Sequence, residues 1–304
     1  MPHLEAIIES FIDVEADLIA LEAEIDDNQT STSEFNQIVS DRVDKITKRA
    51  IKKVDEELTK LEARKKVLLS QAKAFDTEFN GLRTNYEPEK SIEILNYEYD
   101  ENVLDNYETS AKALFVDGFN KFAGFINNPD RINSKNNILG ADSRRVTAGI
   151  LDKFKAPADV TTADGIYAEV KKEFRGKKRT QKLGNGTITR YNAASKNVTN
   201  IVNNASLALK DIKAKLSNIS RILESFIRST SNTQDNKRKM PKLVRNFVTL
   251  TNFYIGMIMY CFELRVEKVV NSRIIIKKFY KKENSKEVAK DKRIEEEGEE
   301  NAQG

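Results

Sequence analysis

Cysteine and histidine each occur once in this chain of 304 residues, as Cys261 and His3, and tryptophan does not occur. A single cysteine cannot close an intrachain disulfide, and a zinc site built from Cys and His has too few of either. With His3 as the lone imidazole and no second thiol, a Ser-His or Cys-His nucleophile–base pair lacks its players. An all-carboxylate metal site survives that exclusion, although no Glu-X-X-His motif accompanies it. The 5 prolines and 12 glycines are few for this length. Both residues punctuate turns, so their scarcity favours long helices over sheets. Positive charge is missing near the start, where Glu5 and Glu9 stand in place of the basic residues of a secretion signal. The expected location is therefore intracellular (cytoplasmic) or within a virus particle.

What is present is charge, and it is unevenly divided. Residues 1–110 carry 13 Lys+Arg against 26 Asp+Glu, residues 111–282 carry 34 against 13, and residues 283–304 carry 4 against 8. A net charge of +4 thus conceals an acidic arm, a basic body and an acidic tail. Complementary blocks attract each other or a charged partner, which points to binding and assembly.

Hydrophobic spacing supplies the architecture. Leu4, Ile7, Phe11, Val14, Leu18, Leu21 and Ile25 advance by alternating threes and fours, a heptad seam. After the polar stretch 26–33, Ser31 and Glu34 suit a capping box for a second helix over about 34–80. Its seam reads Val39, Val43, Ile46, Ala50, Val54, Leu58, Leu61, Leu68, Ala72, Phe75 and Phe79, with Lys65 as a polar exception and Glu57 outside. Two such helices joined by a short loop predict an antiparallel, coiled-coil-like hairpin. Around Tyr97 and Tyr99 the pattern alternates as in a strand, against the poor strand propensity of the intervening acids.

Further helices are predicted from Leu104 to Ile126, near 144–154 and 163–174, from Asn192 to Arg228, and from Lys242 to Lys282. The dipeptide Asn185-Gly186 suits a tight turn, so a small β-hairpin is expected near 180–190. Residues 283–304 lack apolar periodicity and read as a disordered tail. The fold class is all-α: an elongated helical bundle of an acidic hairpin (1–88), a basic helical body (89–282) and a charged tail (283–304).

Three features are candidates for function. Lys171, Lys172, Arg175, Lys177, Lys178, Arg179, Lys182 and Arg190 meet a single acid, Glu173, within 171–190; Lys237, Arg238 and Lys239 form a second basic run. Cations of this density suit phosphate contacts without sequence readout, or docking on the acidic arm of the same or a neighbouring subunit. Phe247 to Phe262 is 16 residues without a charge, short of the roughly 20 that a bilayer core needs. A helix apolar all round suits a bundle centre or an oligomer interface better than a membrane span. Leu58, Leu61, Leu68, Phe253, Met257 and Ile258 are the residues expected at such an interface. Phe115, Phe119, Phe122 and Phe125 form a stripe expected to pack in the core.

No catalytic residue, cofactor or metal ligand emerges from these patterns. In general character, helical, Lys- and Asn-rich and without a catalytic signature, the chain is similar to virion and assembly proteins of tailed phages. That likeness implies a non-enzymatic structural or assembly protein, a homo-oligomer or part of a larger protein assembly. The alternatives are a nucleic-acid-binding accessory protein using the basic segment, and a membrane-associated factor inserting 247–262.

Overall fold

Long-range apolar periodicity needs a surface to bury against, and the fold supplies it around one helix. The computed structural model describes residues 32–83, 92–127, 139, 143–158, 162–229 and 232–302, with side chains no further than 280. The helix expected over 4–25 lies outside the described residues. In chain order the elements are α1 (Thr32–Arg83), β1 (Ile92–Tyr97), α2 (Glu101–Asn127), α3 (Ser143–Lys153), α4 (Ala163–Arg175), β2 (Lys178–Leu183), α5 (Asn185–Lys196), α6 (Val198–Arg228) and α7 (Gln234–Ala302). The class is all-α with one small two-stranded antiparallel sheet.

The chain divides into two compact units, each drawn from three stretches. Among the described residues, the first holds those within 32–60, 100–174 and 204–262; the second holds those within 61–99, 175–203 and 263–302. Helices α1, α4, α6 and α7 therefore each contribute to both.

In the first unit the uncharged run of α7 is the centre. Phe247, Ile255, Met257 and Cys261 are fully buried, and Phe253 and Ile258 nearly so. The Phe stripe of α2 packs against it: Phe115 stacks on Phe247 at 5.5 Å and lies 5.3 Å from Tyr254, while Phe122 is 5.9 Å from Phe247. The charge of Glu108, earlier on α2, acts on Tyr254, so the two helices run antiparallel. From α4, Tyr167 stacks on Phe253 and Tyr260 and donates its hydroxyl to the Phe253 carbonyl at 3.3 Å. Gly118 sits where helices touch: a Cβ there would lie 2.8 Å from Leu250 Cδ1. Asn246 donates to the Leu139 carbonyl at 2.7 Å. Buried polar groups need such partners.

Helix α1 runs parallel to α7. In the first unit Gln234 meets Thr32 and Lys237 meets Asn36. In the second, Arg64 pairs with Glu263 and Lys277 with Glu78. Helix α6 is antiparallel to α1 in the first unit, where Lys213 pairs with Asp55 at 2.6 Å and the charge of Glu224 acts on Lys48. The predicted seam of α1 is buried at Val39, Val43, Ile46, Ala50, Val54, Leu61, Leu68, Phe75 and Phe79, and Ala72 is half-buried. Between Val54 and Leu61, however, the buried position is Glu57, 2% exposed, and Leu58 is only half-buried. The step from 54 is three residues and not four, which follows a straight helix of 3.6 residues per turn. Glu57 is held there by Lys60, whose ammonium lies 2.7 Å from its Oε1.

Leu61, Leu68, Phe253, Met257 and Ile258, expected at an oligomer interface, are covered by the chain's own packing and belong to its core. The expected hairpin turn at Asn185-Gly186 is corrected: those residues open α5, with Ile188 N–H donating to the Gly184 carbonyl at 2.9 Å. Strand β2 pairs instead with β1, in the register Ile92 to Leu183 through Tyr97 to Lys178. Helix α7 begins at Gln234, ahead of the expected start, and keeps Pro241 inside it; its backbone continues helically through Ala302.

Two outcomes follow for stability. Met257→Asp places a carboxylate at a site with no exposure, so it should cost about 3–5 kcal/mol in a urea melt. Lys53, 8% exposed, has its pKa lowered to about 8, by burial above all and against the pull of Glu57. Below pH 8 both folded and unfolded chains hold this proton and the burial cost is complete. As pH rises from about 8 toward 10.5 the folded chain releases it first, so stability rises over that window. Relative to Lys53→Met, wild type should gain about 2–3 kcal/mol between roughly pH 7 and pH 10. Parallel pH profiles for the two proteins would show that Lys53 is not the group responsible.

Candidate polyanion-binding face

The segment with the densest cations enters the second unit as one strand of a two-stranded ribbon. Residues at period two face the same side, and β1 is apolar on one side: Ile92 is buried and Ile94 half-buried. Leu183 of β2 shares that side and is fully buried. Together they meet Phe75, Phe79, Ile188, Ile275, Ile276, Phe279 and Tyr280 in one cluster. Farther along the same side the contacts turn polar. Asn271 of α7 donates to Asn96 Oδ1 at 2.9 Å, Asn96 donates to the Tyr191 hydroxyl at 2.9 Å, and that hydroxyl donates to Gln181 Oε1 at 2.7 Å. The chain of bonds ties both strands to α5 and α7. Burial raises the Tyr191 pKa, which keeps the hydroxyl a donor.

The entrance to β2 is fixed by a glycine and an ion pair. Gly176 has φ of +55°, and a Cβ there would lie 2.8 Å from the Glu98 carbonyl oxygen. Both the left-handed backbone and the close approach require glycine. Next to it, Arg175 grips Glu267 through two bonds, Nε to Oε1 at 2.8 Å and Nη2 to Oε2 at 2.7 Å. Tyr99 donates to the same carboxylate at 3.2 Å. The hydrogen bond to Glu267 raises the already high Arg175 pKa, and burial followed by the Glu267 charge raises that of Tyr99.

The other side of the ribbon faces outward. It presents Lys178, Thr180 and Lys182 from β2, opposite Tyr97, Leu95 and Glu93 from β1. Lys177, Lys178, Arg179, Lys182 and Arg190 are all exposed. The Tyr97 ring lies under two cations, with Lys178 Nζ at 4.9 Å and Arg175 Cζ at 5.4 Å from its centre. Arg179 meets Glu98 at 3.3 Å with both side chains more than half exposed, a contact of small worth in water.

The eleven cations that stand out in the sequence thus have different surroundings. Five, namely Lys177, Lys178, Arg179, Lys182 and Arg190, lie exposed on the ribbon or on α5, which Tyr191 ties to it. Arg175 is committed to Glu267. Lys171 is half-buried and Lys172 pairs with Glu169 at 3.2 Å, both on the part of α4 that belongs to the first unit. Lys237 is buried and donates to Asn36, Arg238 lies over the Phe35 ring at 5.5 Å, and Lys239 pairs with Asp235 at 2.6 Å. The β1 side of the face, with Leu95 and Glu93, carries a strand alternation already visible in the sequence at Tyr97 and Tyr99. The Arg175–Glu267 clamp joins residues 92 positions apart and leaves no local signal.

No family model, curated protein or solved structure matches this chain. Among the described residues no group of three or more His, Cys, Asp or Glu is placed to hold a metal ion.

The clamp has a direct test. Glu267→Ala and Arg175→Ala should each lower stability by about 2 kcal/mol, since each leaves a half-buried charge without its partner. The double variant should lose about 1–2 kcal/mol less than their sum in a double-mutant cycle, whereas strict additivity would mean the two side chains act independently.

Proposed function

We propose that this chain is a structural or assembly protein that works through helical contacts with further copies of itself, within a homo-oligomer or a larger protein assembly. The observation that carries the reading is an apolar strip left uncovered in the second unit. On α1, Arg64, Val67, Ala74 and Glu78 follow one helical face; on the parallel α7, Glu263, Val270, Ile274 and Lys277 do the same. The ion pairs Arg64–Glu263 and Lys277–Glu78 bridge the two faces at either end. Between them Val67 is 47% exposed, Val270 39% and Ile274 45%. The strip is about 14 residues or 21 Å long.

Its charges also suit a second copy. The α1 face runs from positive Arg64 to negative Glu78, and the α7 face runs from negative Glu263 to positive Lys277. If two such strips meet about a two-fold axis along the helices, each α1 faces the other copy's α7 and opposite signs coincide. If the axis lies across the helices, α1 faces α1 in reverse, and opposite signs coincide again. A patch of this kind is self-complementary, as an isologous interface requires. A role as a virus-particle component fits the same reading, because particle proteins act by repeated contacts of one chain.

The membrane reading has less support. Among the described residues one helix, Gln234–Tyr280, is long and apolar enough to cross a bilayer, but 89% of its most apolar window is buried inside the chain. Inserting it would uncover the core of the first unit.

Light scattering decides between one copy and several. Wild type should have the mass of a dimer or larger species, and Val270→Asp/Ile274→Asp should return it to a single chain. Both residues are exposed in the single chain, so that variant should keep the helical content of wild type by circular dichroism while its melting midpoint loses the concentration dependence that association confers. A monomeric wild type across the accessible concentration range would overturn the proposal.

A further inference from the structure

The outward side of the ribbon has no role in a contact made by α1 and α7, and its chemistry is different. It presents two exposed lysines, Lys178 and Lys182, and the exposed carboxylate Glu93, with exposed Lys177 just ahead of the strand. At the centre stands Leu95, 67% exposed, a larger fraction than any other big apolar side chain among the described residues shows. An apolar side chain held outward between lysines is poorly explained by solvation alone. Opposite it in the register is Thr180, with Lys178 and Lys182 two residues to either side, so that the cations on this side recur along the strand.

We infer that the outward side of the β1–β2 ribbon lies against duplex nucleic acid, in the major groove. A two-stranded ribbon has the width that this groove admits. Lys178 and Lys182, with Lys177 just ahead of the strand, reach phosphates, and the affinity they supply depends on salt. The residues between them are of the kinds that meet base edges: a leucine side chain for a thymine methyl, a threonine hydroxyl as donor or acceptor, and the Glu93 carboxylate as acceptor for a cytosine amine. An acidic protein surface is the other polyanion such cations attract. It is less well matched, because Leu95 at the centre of the face would gain no partner from a charged surface. The ribbon is also held in place before any ligand arrives. Its inner side is buried and tied to α5 and α7 by the Asn271–Asn96–Tyr191–Gln181 bonds, and β2 is anchored at its start by Arg175 on Glu267. A preorganised face loses less entropy on binding.

Fluorescence anisotropy with the full chain and a mixed-sequence DNA duplex of about 20 base pairs, two helical turns, tests this. Binding should weaken linearly on a logarithmic salt axis. Lys178→Gln/Lys182→Gln should reduce that slope by about 1.8, at roughly 0.9 for each phosphate no longer neutralised. Leu95→Ala should weaken binding several-fold at an unchanged slope, which a loose electrostatic association would not show. Lys213→Gln, in the first unit, should leave both quantities as in wild type. Thermal melts and light scattering on the same samples separate loss of binding from unfolding and from a change in assembly, so failure here leaves the helical-contact proposal standing. The inference is overturned if duplex DNA does not bind at low salt, if polyglutamate binds where the duplex does not, or if the ribbon variants match wild type.

Discussion

Everything in the first unit follows from one constraint, that α7 between Arg245 and Glu263 has no side fit for water. A helix with a single apolar stripe can lie on a surface, but a helix apolar all round must be enclosed. The enclosure is assembled from α1 on one flank, the Phe115–Phe122 face of α2, and the Tyr167 face of α4. Each large side chain removed from water contributes roughly 1.5–3 kcal/mol, and Phe247, Met257 and Phe262 have 1% exposure or less. Two of the polar side chains drawn in with the helix find partners close by. Thr251 returns its hydroxyl to the Phe247 carbonyl, and Asn246 reaches the Leu139 carbonyl. The run is therefore core because of what surrounds it, and the same sixteen residues without neighbours would resemble a short membrane segment.

The division of charge along the chain has a second consequence. Acidic positions on α1 meet cations from the basic body within each unit: Asp55 with Lys213, Asp76 with Lys196 at 3.4 Å, and Glu78 with Lys277. Each of these pairs is partly exposed and worth little alone. Their collective effect is to orient helices that hydrophobic burial would accept in several registers. Charge complementarity selects among packings that apolar contacts leave nearly equal. Lys178 and Lys182 stay exposed on the outward side of the ribbon, so that side keeps positive charge after folding.

The long helices were legible because their signal is repeated. Over the 52 residues of α1 a misplaced seam position is corrected by the next turn, and the reading slips only around Leu58 and Glu57. There a rigid heptad count drifts against 3.6 residues per turn, and an acidic residue at a buried position is the last choice a composition rule would make. The sheet was only partly legible. Strand β2 falls in the expected region, but its partner lies about ninety residues earlier, and pairing at that distance leaves no mark in local sequence. Asn185-Gly186 favours a tight turn only if the chain that follows can return as a strand. Ile188 and Tyr191 instead make their contacts at helical spacing, one in the apolar cluster and the other on Gln181, and tertiary contacts override the dipeptide.

The candidate site shows the same limit from the other direction. Composition located the cations but not their employment, since Arg175 and Lys178 stand three positions apart and their roles are set by what the fold places beside each. Glu267 reaches Arg175 because α4 and α7 run side by side within reach of β1, and among the described residues no carboxylate forks onto Lys178 in the same way. An arginine suits the first position, where a planar fork can take both oxygens of one carboxylate. A lysine suits the second, where a single exposed ammonium stays able to turn toward a ligand while its stem rests by the Tyr97 ring. The side chain that anchors the ribbon and the side chain that offers charge to solvent are thus distinguished by geometry that only the folded chain provides.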